Sequence, residues 1–421
     1  MGTNSSMDHD MAGHRLDQLK NFPFRRIDEL LNGLAPGRPP VFMQVGEPLA
    51  AVPAVVSQTI AQTAALFGKY PPPAGSPGYR EAVARWLERR YVLQGNSINA
   101  ATQISALCGS REGLFQATLM AILRKRDWLG DTGIPPTVLV PNPMYHVYFG
   151  GAIVGGAEPI LVDTVAENDF VPNYAALPKD VLDRAAICFF CTPGNPTGAV
   201  ATRAALTEML ALARKHDFVL AVDECYSEIW FDTPPAGGFD AAQDLGGVPD
   251  NLLVFNSLSK RSGSPGLRVG FVAGDAALIE PLLMLRSYGG AQVPGPLMAA
   301  GEALWQDETH VIANRAHYLN LVEIADYHLG TLPGFHRPEA GFFLWLNTGA
   351  TVGDGETATR LLWQHAGIKV MPGRYMSQTD PKSGKSPGDD YIRIALVHDP
   401  KTVEDAMSRI AQVLSTHKSI N

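Results

Sequence analysis

Apolar and polar positions follow two textures along the chain. In the middle third, short runs that are apolar throughout recur, separated by stretches with helical spacing. The runs Thr137–Pro141, Pro159–Val162, Ala186–Cys191, Phe218–Asp223, Leu252–Asn256 and Val269–Ala273 are bounded by Pro, Gly, Asn or Asp, which predicts buried strands. Around them, Glu112–Leu123, Arg203–Lys215 and Ala276–Arg286 read as helices; Phe115, Leu119 and Ile122 fall on one face of the first. Strands alternating with helices predict an α/β fold with a mostly parallel sheet. Beyond about residue 300 the texture changes. Ala313–His328 reads as a long helix, Gly341–Leu346 as a strand, Leu361–Ala366 as part of a helix and Tyr391–Leu396 as another strand, which predicts a smaller α+β unit. Residues 376–389, rich in Ser, Pro, Gly, Asp and Lys, read as a polar loop within it.

A chain of 421 residues is too long for one compact core and suits two domains, or one large domain with a smaller partner. The segment Met1–Arg15 is polar, lacks the apolar stretch of a signal peptide, and is expected to be a disordered or mobile arm. No run reaches the ~18 apolar residues of a membrane span. The net charge of −8, without a basic block, argues against nucleic acid or an anionic membrane as partner. Four cysteines do not make a disulfide framework. Cys188 and Cys191 have CxxC spacing but flank Phe189-Phe190, so alternation along a buried strand accounts for them better than redox or metal chemistry. No metal site is expected, and a reducing cytoplasmic location is.

Four segments carry chemistry. In Ser257-Leu258-Ser259-Lys260-Arg261-Ser262, a lysine follows an apolar strand among hydroxyls, and Arg268 comes next within Pro265-Gly266-Leu267-Arg268-Val269-Gly270. A lone lysine there reads as a solvated surface residue. Small neighbours that let a ligand approach, with cations and hydroxyls suited to phosphate, read as a site. Desolvation and nearby cations would lower the amine pKa and leave a neutral nucleophile. Asp223-Glu224-Cys225-Tyr226 ends the strand Phe218–Asp223, at the sheet edge where open α/β folds bind ligands. An Asp there is either a helix cap or a charge with a buried cationic partner, such as a protonated pyridine nitrogen. Cys191 to Gly198 (CTPGNPTG) reads as a turn, or as a means of bringing Asn195 to a phenolate oxygen. Gly109-Ser110-Arg111-Glu112 opens a helix, whose free N–H groups suit phosphate.

In this order and spacing the segments resemble the class I/II aminotransferases of pyridoxal-phosphate (PLP) fold type I, over roughly residues 20 to 415. The resemblance implies a large domain with a mixed, mostly parallel seven-stranded sheet flanked by helices, over residues 51–300. A smaller α+β domain over 301–421 would be joined by an N-terminal segment, 16–50. It implies that Lys260 forms a Schiff base with PLP and moves the proton between substrate and cofactor. Asp223 would pair with the pyridine nitrogen, and Asn195 and Tyr226 would hydrogen-bond the phenolic oxygen. Tyr145 would stack on the ring. Ser110 and Arg111, through their backbone N–H groups, would hold the phosphate with Ser257, Ser259 and Arg268. Tyr70 would reach the phosphate of a neighbouring subunit, so a homodimer with shared sites is implied. Arg393 matches the arginine that grips the substrate α-carboxylate, and Gly46 a backbone contact to substrate. His146 is expected to be a pocket-wall or solvent-facing residue rather than a base.

Within that family, the stretches Gly194–Val200, Asp223–Ile229, Ser257–Arg268 and Pro143–Ala152 resemble the succinyldiaminopimelate aminotransferases of lysine biosynthesis. That likeness implies transfer between N-succinyl-L,L-diaminopimelate and 2-oxoglutarate. Substrates with extra carboxylates require a further cation, and Arg26, Arg25 and Arg261 are the candidates. Another class I/II aminotransferase, or a C–S β-lyase on the same scaffold, is the alternative. A PLP-binding regulator fused to a DNA reader is disfavoured, because only about twenty residues precede the fold, too few for a helix-turn-helix.

Overall fold

A computed structural model describes residues 16–20, 22–95, 97–131 and 133–416, so the arm expected over 1–15 lies outside the described residues. The strands are β1 (Val41–Phe42), β2 (Ile104–Leu107), β3 (Thr137–Asn142), β4 (Glu158–Asp163), β5 (Ala185–Cys191) and β6 (Val219–Asp223). They continue with β7 (Leu252–Ser257), β8 (Gly270–Gly274), β9 (Phe343–Asn347), β10 (Ile368–Lys369), β11 (Met371–Pro372) and β12 (Tyr391–Ala395). Seven of them form one mixed sheet in the order β2-β8-β7-β6-β5-β3-β4. The pairs from β4 through β7 are parallel, whereas β8 runs antiparallel to both β7 and β2. This is the expected α/β fold of type I.

Apart from the half-exposed edge strand β4, both faces of the sheet are buried, as helix-covered parallel strands require. Alternate side chains therefore enter different clusters. Cys188, Phe190, Leu220, Val222, Leu252 and Val254 pack on one face with the helices Pro77–Arg90 and Arg203–His216. Ile187, Phe189, Val219, Ala221, Leu253 and Phe255 pack on the other, against Ser110–Leu129 and Ala276–Gly289. Each Val, Leu, Ile or Phe among them contributes about 1.5–3 kcal/mol on burial. The strand β2 was not among the sequence expectations. Its four buried residues include Ser105, and they are covered because β2 pairs with β8.

A separate apolar cluster joins the long helix Thr309–Leu329, the antiparallel sheet β11-β12-β9 and the helix Pro400–Thr416. Met43, next to β1, belongs to it, and β1 pairs with β10, so the N-terminal segment is stitched to the C-terminal part of the chain. Leu304 and Trp305, by contrast, pack in the large cluster. The stretch expected as helix over Leu361–Ala366 is a turn of π-helix that continues the helix Gly355–Leu361. Among the described residues no helix is long and apolar enough to cross a membrane.

Candidate active site

The topology brings several chain ends to one edge of the large sheet. Strands β3, β5, β6 and β7 are mutually parallel and finish at Asn142, Cys191, Asp223 and Ser257, with Cys191 opposite Asp223 and Asp223 opposite Phe255. The double reversal through β8 points β2 the same way, so Leu107 also ends there, opposite Gly270. Beyond these ends come Tyr145, Asn195, Tyr226, Lys260 and the helix opening at Ser110. The small sheet faces this edge with Arg393 on β12 and Phe343 on β9. Together they line one cavity of about 540 Å³.

Of the sequence-predicted site residues, Gly46, Ser110, Arg111, Tyr145, Asn195, Asp223, Tyr226, Ser257, Ser259, Lys260, Arg268 and Arg393 line this cavity, whereas Tyr70 and the three candidate cations do not. Tyr70 is wholly exposed and lines a separate surface depression with Leu66, Phe67 and Gly290. Arg26 is turned away, its guanidinium 3.8 Å above the centre of the Tyr375 ring and within electrostatic reach of Glu356. Of the same helix, Pro23–Leu30, it is Pro23 and Phe24 that border the cavity. Nor do the other two proposed cations reach it. Arg25 pairs with Glu29 at 2.9 Å on the surface, and Arg261 is fully buried against Glu308.

The amine of Lys260 donates to the carbonyl of Gly46 at 2.5 Å and lies 5.6 Å from the centre of the Phe342 ring. Burial, assisted by Arg393 and Arg111, pushes its pKa down to about 8, although Cys225 and Glu47 oppose the shift. A much larger share of the amine is therefore neutral near physiological pH than in a solvated lysine. Asp223 is buried at the end of β6, where loss of water raises its pKa. Hydrogen bonds counter that effect, from the Cys225 thiol, the Tyr148 hydroxyl at 2.8 Å and the Cys225 N–H at 3.2 Å. Asp223 caps no helix, since a turn follows it, and it accepts from the Cys225 N–H within that turn while lining the cavity.

Arg393 is 4% exposed, and its bonds go to neutral acceptors, Asn195 Oδ1 at 2.8 Å and the Gln44 carbonyl at 2.7 Å. Its Nε is buried without a partner, and burial lowers its pKa to about 10. At the other end of the cavity, Ser257 Oγ lies 2.9 Å from Ser259 Oγ and accepts the Ser259 N–H at 3.2 Å. Arg268 is fixed by the carbonyls of Cys108 and Pro265 at 3.0 and 3.1 Å. A Cβ at position 109 would collide with this guanidinium, and Gly109 has φ +78°, so only glycine fits at the helix entry. The helix that begins at Ser110 is twenty residues long, so its first N–H groups and its dipole both favour an anion there.

The sequence did not single out Tyr148, Phe24, Met371 or Met376. Tyr148 lies three positions after Tyr145, one helical turn on, stacked on Phe189 with centroids 4.2 Å apart. The other three give the cavity an apolar wall. His146 forms part of the wall too, and burial with Arg111 and Arg393 nearby lowers its pKa to about 4, so it is neutral at pH 7 and a poor base. The cavity thus holds an amine of lowered pKa, a buried carboxylate, a corner whose donors suit an anion, and a guanidinium bonded only to neutral oxygens.

The profile described as "Aminotransferase class I and II" matches residues 39–410. An LL-diaminopimelate aminotransferase of Syntrophobacter fumaroxidans is 30% identical over 412 residues, covering 96% of this chain and 99% of its own. The 4-dedimethylamino-4-oxo-anhydrotetracycline transaminase OxyQ of Streptomyces rimosus is 32% identical over 371 residues, 88% of this chain and 92% of its own. An aminotransferase from Neisseria meningitidis Z2491 superposes with a TM-score of 0.88 at 37% identity, covering 95% of this chain and 99% of that one.

Proposed function

The chain belongs to the class I and II aminotransferases, which use pyridoxal phosphate, and on that footing we propose that it transfers an amino group from N-succinyl-L,L-diaminopimelate to 2-oxoglutarate, with Lys260 bonding the cofactor. The observation that carries the reading is the cavity in which Lys260, Asp223, Asn195 and Arg393 meet at one sheet edge.

The donor set fits the cofactor. Ser257, Ser259, Arg268 and the N–H groups of Ser110 and Arg111 would hold its phosphate. Asp223, kept in place by Tyr148, would pair with the ring nitrogen, Asn195 and Tyr226 would meet the phenolic oxygen, and Tyr145 would cover the ring face. When bound, pyridoxal phosphate supplies an electron sink that stabilises negative charge at the substrate α-carbon. Arg393 binds the α-carboxylate through its planar fork, and the Gly46 backbone supplies a further substrate contact. With the carboxylate gripped, decarboxylation is disfavoured. Lys260 Nζ, largely neutral above about pH 8, accepts the proton from the α-carbon.

The motif likeness to succinyldiaminopimelate aminotransferases and the name of the Syntrophobacter relative support a diaminopimelate-type donor. Both that donor and 2-oxoglutarate carry a carboxylate beyond the α-position, which needs a cation inside the cavity. Because Arg26 faces Tyr375, Arg111 takes this role in our reading. Its Nε donates to the Tyr145 hydroxyl at 2.5 Å, and among the described residues it has no ion-pair partner. The exposed Tyr70, together with Leu66 and Phe67, would be covered by a second copy, whose phosphate site Tyr70 would complete. In this reading residues 16–50 and 301–421 make the small domain and 51–300 the large one.

A panel of amino donors against 2-oxoglutarate, including N-succinyl-L,L-diaminopimelate, tests the proposal. The expected result is a preference for that donor in kcat/KM, with 2-oxo acid formed and neither ammonia nor thiol released. A different preferred donor would overturn the substrate assignment. Ammonia or thiol release would overturn the transamination itself in favour of β-elimination.

A further inference from the structure

Lys260 is carried by a helix of only four residues, Leu258–Arg261, whose last carbonyls have no acceptor role within the helix itself. At its start, Ser257 Oγ accepts the Ser259 N–H. The carbonyl of its first residue, Leu258, accepts from the N–H groups of Ser262 and Ser264, just past its end, at 3.1 and 3.3 Å. The carbonyls of Lys260 and Arg261 instead share one side-chain amide: Asn314 Nδ2 donates to them at 3.0 and 3.2 Å.

Asn314 lies 54 positions on, one turn into the helix Thr309–Leu329. Further along, Tyr318, Leu321, Val322 and Ala325 anchor that helix in the C-terminal apolar cluster. Two more contacts tie its start to the lysine-bearing segment. Arg261 donates to Glu308 at 2.7 Å, and His310 Nε2 lies 2.8 Å from Ser262 Oγ while its Nδ1 faces Asp307 at 2.6 Å. The amide of Asn314 is the contact that falls on the lysine's own peptide.

We infer that Asn314 is a positioning residue for Lys260: one amide, donating to two successive carbonyls, fixes the peptide from which the lysine side chain departs and so sets where Nζ meets the cofactor. A lysine amine stands roughly 6 Å from its Cα, so a tilt of ~10° at the backbone moves it by ~1 Å, a displacement that can cost on the order of a hundredfold in rate. The inference rests on the reading of Lys260 as the cofactor-bonding residue. It adds that the long helix of the C-terminal unit, rather than the sheet alone, holds that residue in register.

The test uses the holoenzyme of Asn314→Leu, which is nearly isosteric, neutral and without a donor. Asn314→Ser (a shorter donor) and Asn314→Gln (which keeps an amide) accompany it. The readouts are the pH midpoint of the cofactor's visible absorbance change, the rate of cofactor loss on dialysis, and kcat and KM separately. In Asn314→Leu the midpoint moves, cofactor loss quickens about tenfold and kcat falls more than KM rises. Asn314→Ser changes in the same direction, and Asn314→Gln recovers part of the effect. If Asn314→Leu yields no folded holoenzyme, Asn314→Ser decides. Variants that melt lower as apoprotein while midpoint, cofactor loss and kcat stay at wild-type values would reduce Asn314 to a structural role and overturn the inference. Borohydride mapping of the wild type keeps the two questions apart: a tag away from Lys260 removes the underlying reading, whereas a tag on Lys260 with unmoved variants removes only the role of Asn314.

Discussion

Arg261 and Arg393 are both buried guanidiniums, 0% and 4% exposed, in regions that treat the charge differently. Arg261 sits over the rings of Trp86 and Trp305, donates to the Leu304 carbonyl at 2.8 Å, and meets the carboxylate of Glu308 at 2.7 Å. Arg393 lies 4.3 Å above the Phe343 ring and donates only to neutral oxygens. Each has an Nε without a partner, so a missing hydrogen bond does not separate them. The counter-charge does. Arg261 has its anion within the fold, whereas Arg393 lines the cavity with neutral acceptors alone, and isolated buried charge is costly. On the proposed function a substrate carboxylate would supply the missing half, so that one arginine would serve stability and the other binding.

Exchanging each for alanine should separate those roles. Arg393→Ala should lower kcat/KM for amino acid substrates by roughly a hundredfold, the loss of two charge-assisted hydrogen bonds, without lowering the melting temperature. An unchanged KM, or a large fall in melting temperature, would break the comparison. Arg261→Ala should cost about 3 kcal/mol of stability in denaturant unfolding, through the void left between two indoles, and leave KM near the wild-type value. The half-exposed carboxylate of Glu308 can be rehydrated, which keeps that cost from rising further.

Charge held off by burial sharpens the same contrast at two other groups. In apoprotein, the rate at which Lys260 bonds the cofactor aldehyde should rise with pH and level off above about 8, since only the neutral amine attacks. A profile still rising towards 10.5 would mean a solvated lysine. The smallest expected effect concerns Glu224, next to Asp223 but facing away from the cavity. Its carboxylate accepts from the Gly238 N–H at 2.7 Å and pairs with the Tyr91 hydroxyl, and burial lifts its pKa from 4.5 to about 7. Between those values the folded chain keeps a proton that the unfolded chain has released. That contribution to stability is complete below about 4.5 and is lost as pH rises through about 7. Glu224→Gln should flatten the dependence of melting temperature on pH across this window, and an unaltered slope would place the titration elsewhere.

The uneven legibility of the molecule follows from the same physics. Strands β5, β6 and β7 were visible because burial on both faces leaves uninterrupted apolar runs, and the polar residues that gather at their ends were visible because they sit in short contiguous motifs. Strand β2 was not, since Ile104–Leu107 contains a serine and is a strand chiefly by virtue of pairing with β8. Phe24, Met371 and Met376 look like core in a sequence, and only the meeting of distant segments makes them a cavity wall. Arg26 shows the converse. Adjacent helical residues differ by about 100° in direction, so a cation two positions from a lining phenylalanine points elsewhere, here onto Tyr375. Asn314 was invisible for a simpler reason, because its partners are backbone carbonyls 54 and 53 positions away.

The most direct measurement is borohydride reduction of the cofactor-loaded protein followed by peptide mapping. The account predicts a single reduced pyridoxyl group on the peptide containing Lys260, and its absence from Lys260→Ala protein that still folds. A tag on any other lysine, or none at all, would contradict it.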